Sequence, residues 1–252
     1  MIRKKTNIWL GILLVGWMGF AQAGPLIIAT EGAYPPFSYF DEAGGLSGFD
    51  VDIAYALCET MQRDCELIAV PWNDLLDGIE KGHYQLIVAS MAKTAEREER
   101  VDFSDFYYRS HSVFVGNPYK YSSSSPESLE GVRLATGIGT VQETFLRSRY
   151  PAADIVVTED QEQALAKLVS GEVDLVLSDS INLLSFLQSS EGSAFDFISE
   201  PLIDELLKTD AHIAVEKGND SLRSDINQAL ITIRLNGTYE RINRKYIPFS
   251  IY

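Results

Sequence analysis

The residues of this chain best placed to do chemistry sit where apolar runs give way to short polar turns. Ser90-Met91-Ala92-Lys93-Thr94-Ala95-Glu96-Arg97 follows one such run, Leu86 to Ala89. Thr94 has the position of a helix N-cap, which puts Arg97 in the first helical turn. That end of a helix favours acidic residues and opposes a cation, so Arg97 needs a partner there. A planar guanidinium meets a carboxylate through two parallel hydrogen bonds, and a ligand carboxylate at the strand end would supply the partner. The plainer alternative is a surface arginine paired with Glu96, Glu98 or Asp102.

In the second half, Thr136-Gly137-Ile138-Gly139-Thr140-Val141-Gln142-Glu143 runs from a strand through a glycine turn into a helix. Thr140 and Glu143 have capping-box spacing, and the same geometry leaves the N–H groups of Thr140 and Val141 free to hold an anion. Gly137 and Gly139 lack the third glycine of a dinucleotide fingerprint, so a carboxylate is the better ligand. Asp179 closes another apolar strand, where a buried carboxylate is costly without a partner; an ammonium group or the cap of a helix from Ser180 would provide one. Glu31 and Tyr34 leave the strand Leu26 to Thr30 on a loop stiffened by Pro35 and Pro36. Trp72 offers either a flat face to a ligand or simply core packing.

Composition narrows the class. Arg3, Lys4 and Lys5 precede an apolar run, Ile8 to Ala21, that ends in Ala21-Gln22-Ala23. This is the pattern of a cleaved secretory signal peptide over residues 1–23, with Gly24 starting the mature chain. The net charge is −15, and loss of the three basic residues makes it more negative still, which argues against nucleic acid or an anionic membrane as partner. Cys58 and Cys65 are the only cysteines, and in an exported chain the pair reads as a disulfide. His83, His111 and His212 have no metal-ligand spacing, so neither a metal nor a cofactor is expected.

The elements that must position these residues alternate as in α/β proteins. Strands are expected at Leu26–Thr30, Leu67–Val70, Leu86–Ala89, Val132–Ala135, Ile155–Val157, Leu175–Leu177 and Ile213–Val215. Helical spacing links Phe49, Ile53 and Leu57, then Ala164 and Leu168, then Leu222, Ile226 and Leu230. A weak internal echo aligns residues 81–90 with 170–179, each a glycine-closed helix end, a strand and a polar residue at the strand's carboxyl end. Ligands of open α/β sheets bind outside such ends, so two of these units suggest two lobes facing one cleft. Residues 24–111 and 207–252 are expected to form lobe I and residues 112–206 lobe II.

Taken together, Ala33-Tyr-Pro-Pro-Phe37, Gly48-Phe-Asp-Val-Asp52, the cysteine pair, Ser90 to Arg97 with Phe103-Ser104, Gly139 to Glu143, and Asn236-Gly-Thr-Tyr-Glu240 with Lys245-Tyr246 are ordered and spaced in a telling way. The whole mature chain resembles the polar amino-acid family of periplasmic solute-binding proteins, the receptors of ABC importers, and especially its lysine/arginine/ornithine- and histidine-binding members. The resemblance implies a type II periplasmic-binding-protein fold of two α/β lobes joined by two crossover strands, a monomer in the periplasm, and delivery of a captured amino acid to an inner-membrane ABC permease. It implies that Arg97 clamps the ligand's α-carboxylate with help from the backbone at Thr140 and Val141, and that Asp179 takes the α-ammonium. Glu31 falls where basic-amino-acid binders place an acidic residue for the ligand's distal cation, Tyr34 and Trp72 match aromatic walls, and Gln142 lies beside the pocket. The expected ligand-contacting set is Glu31, Tyr34, Trp72, Ser90, Met91, Ala92, Arg97, Gly137, Thr140, Val141, Gln142 and Asp179, with no catalytic residue.

Two departures unsettle the side-chain preference. Ala89 and Ala92 stand where basic-amino-acid binders usually carry serine, and the second hydroxyl normally helps to hold the α-ammonium. Its loss weakens that contact or makes room for a substituted amine, as in an opine-type conjugate. Some proteins resembling this fold are exported cyclohexadienyl dehydratases, in which Glu31 or Asp179 would serve as general acid with Arg97 on a substrate carboxylate.

Overall fold

The computed structural model describes residues 24–252; the expected signal peptide and its cleavage point lie outside them. Two five-stranded sheets dominate the described residues. In spatial order, the first contains Cys65–Ala69, Leu26–Thr30, Leu86–Ala92, Asp210–Glu216 and Val101–Arg109. Its first three strands are parallel, and Asp210–Glu216 runs antiparallel to both neighbours. The second contains Asp154–Thr158, Arg133–Gly137, Leu175–Asp179, Ser112–Gly116 and Asp196–Ile198, with Ser112–Gly116 antiparallel to its neighbours. A small sheet of Ala33–Tyr34, Ser38–Phe40 and Leu46–Ser47 projects from the first.

All seven expected strands are present, six of them longer by one to four residues, with Val70 and Val132 just outside theirs. Val101–Arg109 was not expected as a strand, because its polar residues interrupt any apolar run and its register against Asp210–Glu216 is shifted twice by irregularities. The chain passes to the second sheet through Ser110–His111 and returns through Lys208–Thr209, with Leu207 still packed in the second core. The two crossings are joined by the Ser110 N–H, which donates to the Thr209 carbonyl at 2.9 Å.

Each sheet is buried on both faces. Helices Phe49–Met61 and Asp220–Leu235 cover one face of the first sheet and Leu75–Glu80 the other, while the second lies between Val141–Arg149 and the pair Gln161–Ser170 and Ser180–Leu187. The helical spacing of Phe49, Ile53 and Leu57 directs all three into the first core, each at 1 % exposure or less. Burial of each contributes about 1.5–3 kcal/mol. That helix starts at Gly48, whose φ of +129° and whose would-be Cβ, 2.2 Å from the Phe37 carbonyl oxygen, admit only glycine. The close approach lets Phe49 and Asp50 donate to the carbonyls of Pro36 and Phe37, fixing the loop that carries Glu31 and Tyr34. At the other end, the Cys58–Cys65 disulfide ties the helix to an edge strand.

Candidate functional site

A cavity of about 740 Å3, its open mouth included, lies between the lobes at the carboxyl ends of their parallel strands. That size suits a small molecule. Glu31, Tyr34, Trp72, Ser90, Ala92, Arg97, Gly137, Thr140, Val141, Gln142 and Asp179 all line it. Met91 does not. Strand alternation turns its side chain, 1 % exposed, into the first core between two neighbours that reach the cleft.

Thr94 caps the helix Ala95–Arg100 by accepting from the Arg97 N–H, and the Arg97 side chain folds back into the cleft. Its Nη1 donates to the Ala92 carbonyl at 2.6 Å and its Nη2 crosses to the Gly139 carbonyl at 3.0 Å. Trp72 supports it from the side, with the guanidinium carbon 5.2 Å from the ring centroid. Trp72 thus lines the cleft, supports Arg97 and packs on the core at once. The surface ion pair does not form: Glu98 pairs with Lys93 and Asp102 with Lys217, and no carboxylate among the described residues lies in salt-bridge range of Arg97. Burial lowers the Arg97 pKa to about 10, with the Glu96 charge opposing the shift only in part.

Across the cleft, Thr140 accepts from the Glu143 N–H at 3.1 Å, and Glu143 reaches back to the Gly139 N–H at 2.7 Å. This is a capping box displaced by one residue, and it fixes the start of helix Val141–Arg149 beside the cavity. N–H groups at a helix start have no intrahelical acceptor. Gln142 is held by its Nε2 donating to Ser112 Oγ at 3.0 Å. Asp179 caps a helix and also reaches the cavity. Its Oδ1 accepts from the N–H groups of Ile181 and Asn182, capping helix Ser180–Leu187, while the carboxylate lines the cavity. Burial raises its pKa to about 6, opposed by hydrogen bonds from Ser110 and those two N–H groups.

Glu31 is 7 % exposed, and burial, with Asp160, Glu162 and Asp50 adding repulsion, raises its pKa to about 8. No hydrogen bond or ion pair among the described residues reaches its carboxyl group. Behind the strand end, Ser90 has a φ of +53° and is held by two contacts, its N–H donating to Tyr107 Oη and its hydroxyl to Asp50 Oδ2, while Tyr107 donates to Asp50 Oδ1 at 2.6 Å. Burial raises the Asp50 pKa to about 7 against these two side-chain hydrogen bonds. The lobes also meet where Tyr34 Oη and Ser178 Oγ lie 3.3 Å apart and where Asn182 donates to the Pro35 carbonyl at 2.7 Å.

Several lining residues escape the sequence reading: Tyr108, Ser178, Glu159 to Gln161 and Lys208 to Ala211. The strand at Ile155–Val157 was legible, and its carboxyl end leads directly to Glu159. Tyr108 stacks on Phe37, ring centroids 4.9 Å apart, within an unforeseen strand.

Residues 26–249 match the family described as bacterial extracellular solute-binding proteins, family 3. The L-arginine-binding protein of Pseudomonas aeruginosa is 33 % identical over 237 residues, covering 92 % of each chain. An ancestral arginine-binding protein bound to arginine superposes with a TM-score of 0.83 at 28 % identity, over 90 % of this chain and 99 % of that one. The ancestral amino acid-binding protein AncCDT-1, a precursor of cyclohexadienyl dehydratase, gives 0.80 at 26 % identity, over 88 % and 95 %.

Proposed function

The chain belongs to the bacterial extracellular solute-binding proteins, family 3, and we propose that it captures an amino acid in the periplasm for an ABC importer, without chemistry on it. One observation carries this reading. Arg97 from one lobe, buried without a carboxylate partner, and Asp179 from the other line the same cavity, and their charges complement those of a zwitterion. The ligand's carboxylate sits on Arg97 and the helix start at Thr140 and Val141, and its ammonium on Asp179. Glu31 takes a distal cation, which favours a basic side chain. Residues 24–111 and 208–252 act as one jaw and 112–207, with Leu207 in the second core, as the other, and the monomer presents the closed jaws to the permease.

Ala92 presents a methyl group to the cavity where a hydroxyl would hold the ammonium, and Ala89 beside it packs its methyl into the first core, a lining that supports room for a substituted amine of opine type. An enzymatic alternative is favoured by Glu31, which stays protonated near neutral pH as a general acid must, and by the likeness to a dehydratase precursor. A thermal-shift panel of amino acids and opines on ligand-stripped protein tests the main reading. Ligand at a hundredfold over its Kd stabilises by about 2.7 kcal/mol. Absence of any shift with every α-amino acid sinks it, and turnover of prephenate or arogenate replaces it with the enzyme.

A further inference from the structure

Gln161 opens the helix Gln161–Ser170, whose N-cap Asp160 already satisfies the Gln163 N–H. The Gln161 side chain is 6 % exposed and lines the interlobe cavity, and its Nε2 has no hydrogen-bond partner among the described residues. A buried amide nitrogen without an acceptor is destabilising, and leucine would fill the same space without that cost. The helix packs against strand Ala33–Tyr34 of the opposite lobe, beside the loop carrying Glu31. The residues on either side of Gln161, Asp160 and Glu162, are the charges that act most strongly on Glu31, which sets the amide and the unpartnered carboxyl at the same end of the cavity.

We propose that Gln161 is a specificity-determining residue that grips the polar end of the ligand side chain from lobe II while Glu31 grips it from lobe I. This rests on the amino-acid reading above. An amide can offer its N–H2 to a carbonyl oxygen or, after a half-turn, its oxygen to an N–H. Gln161 therefore selects for a polar, N–H-bearing end of guanidinium or ureido type over an apolar one, and Glu31 adds the preference for charge.

L-Arginine and L-citrulline, nearly isosteric with a guanidinium and a ureido end, are the probes, titrated calorimetrically into ligand-stripped wild type, Gln161→Leu and Gln161→Glu. Leucine should weaken both probes by about tenfold or more, the loss of one to two hydrogen bonds. Glutamate, acceptor-only once a bound guanidinium ionises it, should raise the arginine-to-citrulline affinity ratio by about tenfold over wild type. A merely structural role does not move that ratio in one direction. Affinities within about twofold of wild type in the leucine variant, or one ratio in all three proteins, overturn the inference while leaving amino-acid capture intact. If the leucine variant does not fold, the ratio in the glutamate variant decides alone. Wild type that binds neither probe overturns a basic or ureido ligand, and this inference with it, whereas the wider amino-acid panel still judges capture itself.

Discussion

Replacing Arg97 with methionine separates binding from stability more sharply than any other change in the cleft. Methionine keeps much of the length and the contact with Trp72 but removes the fork and the charge. A carboxylate held by two charged hydrogen bonds, each contributing about 1.5–3 kcal/mol, loses about 3–6 kcal/mol, or roughly two to four powers of ten in affinity. The ligand-free protein responds differently. It gives up the bonds to the carbonyls of Ala92 and Gly139, yet is relieved of a cation that is 7 % exposed and has no salt-bridge partner among the described residues. A buried charge is costly enough that an apolar replacement of similar volume is often neutral or stabilising. The expected result is therefore near-complete loss of binding with no fall in the melting temperature of the ligand-free protein, read by calorimetric titration and a denaturation scan. Affinity within about threefold of wild type would refute the clamp, and collapse of the fold would show that Arg97 holds the lobes.

Asp179→Asn keeps a cap, since asparagine serves there as well as aspartate, so stability holds. Affinity for α-amino acids should fall while that for the matching α-hydroxy acids does not, and equal losses would reduce Asp179 to a cap. Glu31, raised to about 8 in the folded chain from an ordinary 4.5, binds a proton more tightly folded than unfolded. Its contribution to stability is thus greatest below pH 4.5 and is lost as the pH climbs through 8. Denaturation of Glu31→Gln against wild type should show the variant gaining relative stability across that window; parallel curves would contradict the burial of the charge. Arginine binding at pH 7 should also expel a proton from Glu31, seen as a buffer-dependent heat, whereas citrulline should expel little. Cys58→Ser with Cys65→Ser should cost about 2.5 kcal/mol through the short loop it frees, with ligand affinity unchanged, because the bridge ties the far end of helix Phe49–Met61.

Fold and site were legible where local physics decides alone. The caps at Thr94 and Thr140, the helical spacing of Phe49, Ile53 and Leu57, and the apolar parallel strands follow from short stretches of chain. Val101–Arg109 was not legible, because only pairing with Asp210–Glu216, about a hundred residues away, makes its mixed pattern a strand. Arg97 and Asp179 could be singled out as residues at odds with their positions. Gln161 could not, since a glutamine in the first turn of a helix is unremarkable until the opposite lobe covers it. Met91 misled for the opposite reason: proximity in sequence to the cleft does not decide which face of a strand a side chain takes.

The position of Asp210–Glu216 has a consequence for how the chain comes together in time. This strand lies between Leu86–Ala92 and Val101–Arg109, so the first sheet cannot be completed until residues far along the chain have been made. The second sheet comes from one continuous stretch, residues 112–198. Contiguous units assemble readily and distant pairings are slow. The lobe encoded in the middle is therefore the first able to fold, and the lobe that begins at residue 24 is the last to be finished. A nascent chain halted before residue 210 would carry one finished jaw and one unpaired, aggregation-prone half-sheet.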